Sequence, residues 1–400
     1  MIAVMRWFAV LTLACVAACG FRSGLSGGGG GGGGADAADG ASDAPIDAPG
    51  CYVVEIATNE YNTCARENDG SVWCWGRDLR GETGIDPNNA MLIQTCASGQ
   101  PCTESPNQLA MPAATALGLG YEDACAIAGT DVYCWGANGV GEFGDGTTND
   151  SITPLQIAAR AGATAIQGGY NVLCSLASGT VSCSGYNGTY DVGDGSNDER
   201  TSPYAALTGA TVLAKGYQDT CAIGASGVEC WGPNALDEID TTGTNPQASP
   251  TAVPGVTGTV ALAVGYQHSC AVSSTHVVTC WGTNANGELG NGMIATDSGP
   301  VTASVSNAVQ VSAMANHSCA LDEAGAMWCW GENYTSTPAQ VTLPGRATQI
   351  ASGAAHDCAL LADGTVRCWG DDSYGQLGNG TTSATASTTP VEVSLCMQRD

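Results

Sequence analysis

Basic residues are scarce in this sequence of 400 residues. Eleven lysines and arginines stand against 38 aspartates and glutamates, so the formal net charge is −27, and Lys215 is the single lysine. Proteins that bind nucleic acid need clustered cations to displace the counterions of the phosphates. The sequence has no such cluster, so we expect no nucleic-acid partner. The acidic excess indicates a well-solvated surface or, as an alternative, a surface that binds cations.

Catalytic motifs are absent and histidines are few. The sequence has no Gly-x-Ser-x-Gly elbow, no His-Glu-x-x-His motif and no phosphate-binding loop, which argues against the enzyme classes that need them. Three of the four histidines, His268, His317 and His356, stand two residues before a cysteine. We interpret this position as a hydrogen-bonding site that organises each repeat, with a ring of ligands as the alternative. We expect no cofactor and no metal site, although aspartate-rich loops such as 191–198 could hold calcium.

Cysteines, by contrast, recur regularly. Seven pairs, each separated by nine or ten residues, follow one another at intervals of 39 to 61 residues, and the second cysteine usually begins the string Cys-Trp-Gly. An internal repeat of this kind is the strongest single indicator of architecture. The pairs are Cys64/Cys74, Cys125/Cys134, Cys174/Cys183, Cys221/Cys230, Cys270/Cys280, Cys319/Cys329 and Cys358/Cys368.

The spacing within each pair predicts a β-hairpin. When Cys125 faces Cys134 in an antiparallel pair, Ile127 faces Val132 and a two-residue loop remains. Facing residues lie about 4.5–5.5 Å apart, which is within reach of a disulfide. Metal binding is the competing interpretation, but Cys-x-x-Cys motifs are absent from these hairpins and histidine partners are scarce. We therefore expect seven hairpin disulfides and an oxidising compartment.

One small sheet per repeat cannot bury its own faces, so the repeats must stack around an axis as a β-propeller. A tryptophan recurs beside the second cysteine in six repeats. We interpret these side chains as core wedges between blades rather than as a ligand cage. They are Trp75, Trp135, Trp231, Trp281, Trp330 and Trp369.

The repeats resemble the regulator-of-chromosome-condensation (alpha-tubulin-suppressor-like) family. The seventh copy carries the motif best, with 356–360 as His-Asp-Cys-Ala-Leu, 366–370 as Val-Arg-Cys-Trp-Gly and 374–380 as Tyr-Gly-Gln-Leu-Gly-Asn-Gly. The resemblance covers about residues 52–395 and implies an all-β, seven-bladed propeller, in agreement with the seven cysteine pairs. The third copy lacks the tryptophan, and the fourth and sixth lack the Gly-x-Leu-Gly segment, so we expect altered loops there.

The amino-terminal residues indicate a secreted lipoprotein. Residues 1–18 read as a signal peptide whose apolar run is too short to span a bilayer, and Cys19 follows small residues as the site of acylation with fatty acids such as palmitate. Residues 19–50 contain a glycine run and acidic residues with no apolar face, which predicts a disordered linker before the propeller at 51–400. Gly20 in place of aspartate resembles lipoproteins of the bacterial outer membrane. We expect anchoring there, on the periplasmic or extracellular face, with membrane contact through the lipid alone.

Four cysteines lie outside the hairpins and the leader. Cys96 and Cys102 lie together in the longest insertion, and we expect them to close a small loop. Cys51 and Cys396 begin and end the repeat region. Propellers commonly complete one blade with strands from both termini, and 390–394 resembles the strand that such a blade would need. We therefore predict that the termini join in one blade, locked by a Cys51–Cys396 bond.

Tyrosines recur four residues before the first cysteine in four consecutive repeats, each after a glycine and before polar residues. This placement predicts an arc of tyrosines near one face of the propeller, and tyrosine is enriched in recognition surfaces. Packing of the rings between blades or around the channel is the alternative. The candidate binding residues are Tyr121, Glu122, Tyr170, Asn171, Tyr217, Gln218, Tyr266 and Gln267.

These features favour a non-enzymatic recognition module that is monomeric and binds a protein or glycan through one face of the propeller. A structural or adhesive envelope scaffold is the first alternative. A polysaccharide-active enzyme is the second, and it would require a cluster of acids and aromatic residues in the channel.

Overall fold

Short strands and glycine-rich turns build seven antiparallel sheets in the part of the chain that the structure describes. The computed structural model describes residues 50–89, 91–235, 239 and 245–395, without the side chains of 296–298. These residues all lie in one unit, Ala48–Asp400. Each sheet takes its four strands from one repeat, and the first sheet has a short fifth strand. The fold is the predicted all-β, seven-bladed propeller.

The strands of blades 1 to 3 are β1 (Val53–Thr58), β2 (Asn62–Glu67), β3 (Val72–Arg77), β4 (Gln94–Thr95) and β5 (Pro101–Gln108); β6 (Ala116–Leu119), β7 (Asp123–Ala128), β8 (Asp131–Gly136) and β9 (Ser151–Gln156); and β10 (Ala165–Gly168), β11 (Val172–Ala177), β12 (Thr180–Gly185) and β13 (Arg200–Thr208). In blade 1 the order is β1-β2-β3-β5-β4. One 3-10 turn, Ala158–Arg160, joins blades 2 and 3.

The strands of blades 4 to 7 are β14 (Val212–Lys215), β15 (Thr220–Gly224), β16 (Gly227–Gly232) and β17 (Gln247–Ala252); β18 (Thr259–Val264), β19 (His268–Ser273), β20 (Val278–Asn284) and β21 (Ala295–Thr302); β22 (Ala308–Met314), β23 (His317–Asp322), β24 (Met327–Gly331) and β25 (Ala339–Val341); and β26 (Ala347–Ser352), β27 (His356–Leu361), β28 (Val366–Asp372) and β29 (Ser383–Glu392).

The ring closes between blades, and the prediction that both termini share one blade was wrong. Strand β1 pairs with β2 as the inner strand of blade 1, whereas β29 pairs with β28 as the outer strand of blade 7. Each repeat begins at its inner strand, so the two ends of the ring meet at an interface. There the Gln349 side chain accepts from Ile56 N at 2.9 Å and donates to Ile56 O at 3.0 Å. Val393 packs in the same apolar cluster as Ile56.

The hairpins have the predicted register. Cys125 faces Cys134 while Ile127 faces Val132, and the facing pairs of the other blades follow the same pattern. In blade 7, the three-residue loop brings Leu360 opposite Val366. The interval of nine or ten residues therefore places the two cysteines of each repeat side by side on neighbouring strands.

All seven hairpin disulfides form with the predicted pairing. Their Cα–Cα distances of 4.0–4.2 Å are typical of close, facing residues in antiparallel strands. All fourteen cysteines are completely buried, so each bond braces the two middle strands of a blade and none is exposed at a binding surface. The bonds are Cys64–Cys74, Cys125–Cys134, Cys174–Cys183, Cys221–Cys230, Cys270–Cys280, Cys319–Cys329 and Cys358–Cys368.

The remaining cysteines differ in how far the structure describes them. Cys96 and Cys102 are joined in the insertion of blade 1, with a Cα–Cα distance of 5.9 Å. Cys51 is disulfide-bonded, but the bond predicted between Cys51 and Cys396 involves a residue outside the described ones. The predicted signal peptide, the predicted lipidation site Cys19 and the predicted linker up to residue 49 lie outside them as well. No helix within the described residues is long and apolar enough to cross a membrane.

The tryptophans lock neighbouring blades together, as predicted for core wedges. All six are buried. In four blades the indole Nε1 donates to a backbone carbonyl in the Gly-x-Leu-Gly region of the preceding blade, at 2.6–2.9 Å. The donor–acceptor pairs are Trp75–Gln376, Trp135–Glu82, Trp231–Asp191 and Trp330–Glu288. The backbone of this turn therefore accepts a hydrogen bond from the tryptophan of the next blade.

A buried arginine replaces the tryptophan that blade 3 lacks. Ser184 occupies the tryptophan position, and Arg160 fills the adjacent space with 2% of its surface exposed. Its guanidinium donates to Glu142 O at 3.1 Å, to Phe143 O at 2.8 Å and to Ser184 Oγ at 2.5 Å. Burial lowers the pKa of Arg160 to about 9. The Arg160 side chain thus connects blades 2 and 3 by hydrogen bonds, as the indoles connect neighbouring blades elsewhere.

Blade 4 keeps one hydrogen bond of the motif turn, although its sequence lacks the motif. In blade 5, Leu289 N donates to Asn284 Oδ1 at 3.0 Å, which orders the Gly-x-Leu-Gly turn. In blade 4, Ile239 is fully buried and its N–H donates to Asn234 Oδ1 at 2.9 Å. Ile239 therefore takes the place of the motif leucine, although the surrounding glycines are absent.

Candidate binding face at the channel mouth

The turn from the first to the second strand of each blade places the predicted tyrosines around the mouth of the central channel. In blade 2 this turn is Gly120-Tyr121-Glu122, between β6 and β7. A Cβ on Gly169 would collide with Gly216 O, and one on Gly216 would collide with Gly265 O. Glycine precedes Tyr170 and Tyr217 because the turns of neighbouring blades approach too closely there for any other side chain. A Cβ on Gly120 or Gly265 would instead collide with a side chain of its own blade, Asp123 or His268.

Backbone hydrogen bonds then run from turn to turn around the mouth. Tyr121 N donates to Gly169 O at 3.0 Å, and Tyr170 N donates to Tyr217 O at 2.7 Å. Tyr217 N and Tyr266 N continue the series to the carbonyls of Gly265 and Ala315, at 3.1 and 3.0 Å. The tyrosine positions of blades 2 to 5 are thus set by the ring itself, so the array is preorganised.

The rings of the four predicted tyrosines are in contact, and two further tyrosines belong to the same cluster. The ring centroids of Tyr121 and Tyr170 are 5.1 Å apart, those of Tyr170 and Tyr217 4.6 Å, and those of Tyr217 and Tyr266 4.4 Å. Tyr61 lies 6.2 Å from Tyr121 and 4.7 Å from Tyr374. We call these six residues the tyrosine array. All six are half-buried, so each ring packs on a neighbour and still exposes part of its surface.

A carboxylate from blade 1 lies among these rings. Glu60 occupies the position, four residues before Cys64, at which blades 2 to 5 carry tyrosine. Burial raises the pKa of Glu60, and the nearby hydroxyls of Tyr61 and Tyr266 lower it in part. Burial raises the pKa of Tyr217 to about 12, and the negative charges of Glu60 and of neighbouring tyrosines contribute to this shift. Since Tyr266 belongs to blade 5, Glu60 reaches across the mouth.

An arginine already stacks on the array. The Arg77 guanidinium carbon lies 4.4 Å from the centroid of Tyr61 and 5.2 Å from that of Tyr121. Arg77 also pairs with Glu122, at 3.2 Å, and with Glu82, at 3.3 Å. The predicted binding residue Glu122 is therefore engaged in ion pairs at the rim of the array, where its side chain orients Arg77.

The other predicted polar residues surround the array in half-buried or exposed positions. Asn171 and Gln218 are half-buried, and Gln267 is exposed. Asn171 adopts a positive φ of 56°, and its carbonyl accepts from Tyr186 N at 2.8 Å. The Gln267 carbonyl accepts from Thr283 N at 2.8 Å. Their backbones shape the turns, which leaves the side chains at the face of the propeller.

Sequence reasoning missed Glu60, Tyr374 and Arg77 as parts of the site. The repeat alignment contains a signal for Glu60, because it stands in register with the four tyrosines. Tyr374 belongs to the motif segment of blade 7, and Arg77 follows the Trp-Gly of blade 1. Tyr374 reaches the array through the closure of the ring, and Arg77 through the contact between blades 1 and 2, so no local pattern indicates them.

Two cavities lie near the array: the central channel and a cleft between blades 6 and 7. The channel beneath the array encloses about 230 Å³ between the inner strands and is lined by Gln167, Lys215 and Gln310 among others. Lys215 donates to Asp219 O at 3.3 Å, and burial lowers its pKa.

A cleft of about 760 Å³ lies between blades 6 and 7. The loop of blade 6 is shortened there, and the indole of Trp369 donates to the Tyr334 hydroxyl at 2.9 Å.

The repeated histidines join blades by hydrogen bonds, which agrees with the structural interpretation. His268 Nε2 contacts Ser318 Oγ at 2.8 Å, and His356 Nε2 contacts Thr63 Oγ1 at 3.0 Å. His317 Nε2 contacts Asp357 Oδ1 at 3.1 Å. Within the described residues, His317, Cys319 and Asp357 form the one grouping with metal-ligand geometry. Cys319 is bonded to Cys329, so this grouping offers no thiolate.

The aspartate-rich loop of blade 3 accepts a hydrogen bond from the tryptophan of blade 4. Asp194 accepts from Asn187 Nδ2 at 3.0 Å and pairs with Arg200 at 2.5 Å. The carbonyl of Asp191 accepts from Trp231. The loop thus takes the position of the motif turn, and the carboxylate of Asp194 has partners within the chain.

Comparison with known families identifies the repeats. Residues 53–82, 260–288, 308–335 and 347–376 match the regulator of chromosome condensation (RCC1) repeat, and a second description of that repeat matches 363–399. These segments carry RCC1-like repeats. The matched segments fall in blades 1, 5, 6 and 7.

Solved structures of propellers share the fold. Human WBSCR16 is 18% identical, with a TM-score of 0.71 over 81% of this chain and 94% of that chain. Yeast RCC1 (Prp20), solved with Kap60, is 18% identical, with a TM-score of 0.69 over 86% of this chain and 85% of that chain. Prp20p from Saccharomyces cerevisiae, described with its binding to Gsp1p and histones, is 17% identical, with a TM-score of 0.68 over 86% and 88%. At these identities the likeness establishes the fold.

Proposed function

We propose that this protein is a non-enzymatic recognition module that binds a protein partner through the tyrosine array. The observation that carries the proposal is the gathering of six half-exposed tyrosines into one preorganised surface. Tyrosine offers a large contact area at a low cost in side-chain entropy, and preorganisation reduces the cost of binding further. A glycan ring stacked on the same rings is the other partner chemistry that the surface would accept.

The solved propellers support a protein partner in general terms. Yeast RCC1 was crystallised with Kap60, and Prp20p was described as binding Gsp1p and histones. These partners are not proposed for this chain, since identities of 17–18% establish a shared fold alone. What we carry over is the use of a propeller of this fold as a protein-binding surface.

We further propose that the module is held at the bacterial outer membrane by a lipid on Cys19. The support comes from the sequence, in which small residues precede Cys19 and a glycine-rich, acidic segment follows it. Disulfides in every blade suit an oxidising compartment. A flexible segment between anchor and propeller would let the binding face reach partners away from the membrane.

Quantitative capture from envelope extracts tests the proposal. The bait is the purified protein, compared with the double variant Tyr170→Ala/Tyr217→Ala and with Tyr204→Ala, which removes an exposed tyrosine on the outer strand of blade 3. We expect specific partners to be retained by the wild type and by the Tyr204 variant, and lost by the double variant. Equal retention by all three proteins would contradict the proposal. Thermal unfolding of each protein serves as the control for folding.

A further inference from the structure

The carboxylate of Glu60 determines which chemical groups the centre of the tyrosine array can bind favourably. Its Oε2 atom is buried and has no hydrogen-bond donor among the described residues. A carboxylate oxygen in such a place is costly unless a donor or a cation pairs with it. The hydroxyls of Tyr61 and Tyr266 lie close to this carboxylate, and Tyr121, Tyr170 and Tyr217 line the same cavity. Aromatic rings attract cations through their π faces.

The array already binds one cation within the chain. Arg77 stacks on Tyr61 and Tyr121 from the rim, with its charge matched by Glu82 and Glu122. Glu60 is a further carboxylate on the inner side of the same rings. The inner side thus combines aromatic surface and negative charge, the two features that hold Arg77 at the rim.

The space beside Glu60 limits the size of the group that it can accept. The cavity lined by Glu60, Tyr121, Tyr170, Tyr217 and Tyr266 has a volume of about 20 Å³. A space of at least about 10–15 Å³ holds one water molecule. A primary ammonium group is of similar size, whereas a planar guanidinium is considerably larger.

Blades 6 and 7 contribute no tyrosine at the position that surrounds the mouth. They carry Ala315 and Ala354 where blades 2 to 5 carry tyrosine and blade 1 carries Glu60. The small side chains therefore leave the mouth less crowded by aromatic rings on their side. The net charge of −27 would also steer a positively charged segment towards the protein.

We infer that the tyrosine array binds a primary ammonium group, supplied by a lysine side chain of the protein partner. The lysine methylenes pack against the tyrosine rings, and the ammonium group donates to Glu60. This inference rests on the proposed function, since it names the chemistry by which the same surface recognises its partner. It predicts that lysine is preferred over arginine and over an uncharged side chain of similar length.

The test is a ligand-detected NMR titration of the purified protein with three probes: the Nα-acetyl methylamides of lysine, norleucine and arginine. We expect the lysine probe to bind at least tenfold more tightly than the other two. Glu60→Gln preserves the shape of the side chain and removes its charge, so we expect a loss of at least fivefold for lysine alone. Glu323→Gln, at an exposed site, removes the same charge elsewhere and should change nothing.

A second variant tests the location of the site and does not depend on Glu60. Ala354→Tyr adds a ring at the position that blades 2 to 5 use, and we expect it to weaken lysine binding at least fivefold by crowding the mouth beside Glu60. Equal binding of lysine and norleucine, equal binding of lysine and arginine, or unaltered binding by Glu60→Gln and Ala354→Tyr would overturn the inference.

The two proposals fail in different ways. Partner capture that depends on Tyr170 and Tyr217, with no preference for the lysine probe, would overturn the ammonium inference and leave the recognition function standing. Capture that does not depend on these tyrosines would overturn the recognition function itself.

Discussion

Arg160 shows how one residue can substitute for a missing part of a repeat. It donates to six backbone or hydroxyl oxygens of blades 2 and 3 at the place where other blades insert an indole. Its charge is removed from water, which is tolerated because each N–H group finds an acceptor. The residue lies in the connection between blades, where no repeat pattern marks it.

Replacing Arg160 by alanine should destabilise the protein strongly. The change opens a cavity and leaves several carbonyls without donors, so we expect the free energy of unfolding to fall by about 3–5 kcal/mol. Adding Ser184→Trp to Arg160→Ala restores the indole found in the other blades and should recover part of this loss. The matched control is Arg346→Ala at an exposed site. Chemical denaturation measures all four proteins, and equal stability of Arg160→Ala and Arg346→Ala would contradict the assignment.

His356 makes stability depend on pH. Burial lowers its pKa to about 4, although the carboxylates of Asp357 and Asp371 favour its charged form. Below about pH 6.5 the unfolded chain binds a proton that the folded chain does not bind until about pH 4, so stability falls as the pH falls through this range.

His356→Asn should reduce that pH dependence. Asparagine stands at the same repeat position in blade 1, as Asn62. We expect the loss of unfolding free energy between pH 6.5 and pH 4 to shrink by on the order of 2–3 kcal/mol. Denaturation curves at several pH values measure the effect, with His276→Asn, at a half-buried site, as control. An identical pH dependence in His356→Asn and wild type would refute the role of His356.

At the scale of elements, the hairpin is the unit that repeats. Its two cysteines brace the middle strands, its tryptophan reaches back to the preceding blade, and the turn before it forms the channel mouth. Spacing was sufficient to predict the pairing of Ile127 with Val132 because facing residues in a hairpin are determined by loop length.

Removing one hairpin disulfide should weaken the protein without changing its fold. The loop closed by Cys125 and Cys134 spans nine residues, for which chain entropy gives an upper value of about 3 kcal/mol. We expect Cys125→Ala/Cys134→Ala to lower the free energy of unfolding by no more than this amount, with an unchanged circular dichroism spectrum. Loss of the folded spectrum would show that the blade needs the bond to form.

Other features were beyond sequence reasoning for physical reasons. The closure of the ring was predicted wrongly, because a strand-like segment at 390–394 fits the outer edge of blade 7 as well as a shared blade. Ile239 replaces a motif leucine without the glycines that would identify it. Tyr374 and Arg77 reach the array only through contacts between blades 7 and 1 and between blades 1 and 2.

At the scale of the whole molecule, the propeller converts sequence repetition into a convergent surface. The tyrosines of blades 2 to 5 are 47 to 49 residues apart in sequence, yet their rings lie within 4.4–5.1 Å of one another. Departures from the repeat give that surface its asymmetry, with Glu60 in blade 1 and alanines in blades 6 and 7. The site therefore consists of one shared position, varied from blade to blade.

The most direct test of this account is the dissociation constant of a captured partner for the wild type and for Tyr170→Ala/Tyr217→Ala, measured by titration calorimetry. Two central aromatic anchors of an interface together carry a large share of its binding energy. We predict that the dissociation constant rises at least a hundredfold in the double variant and stays within twofold in Tyr204→Ala. An unchanged dissociation constant in a folded double variant would contradict the claim that the tyrosine array is the binding face.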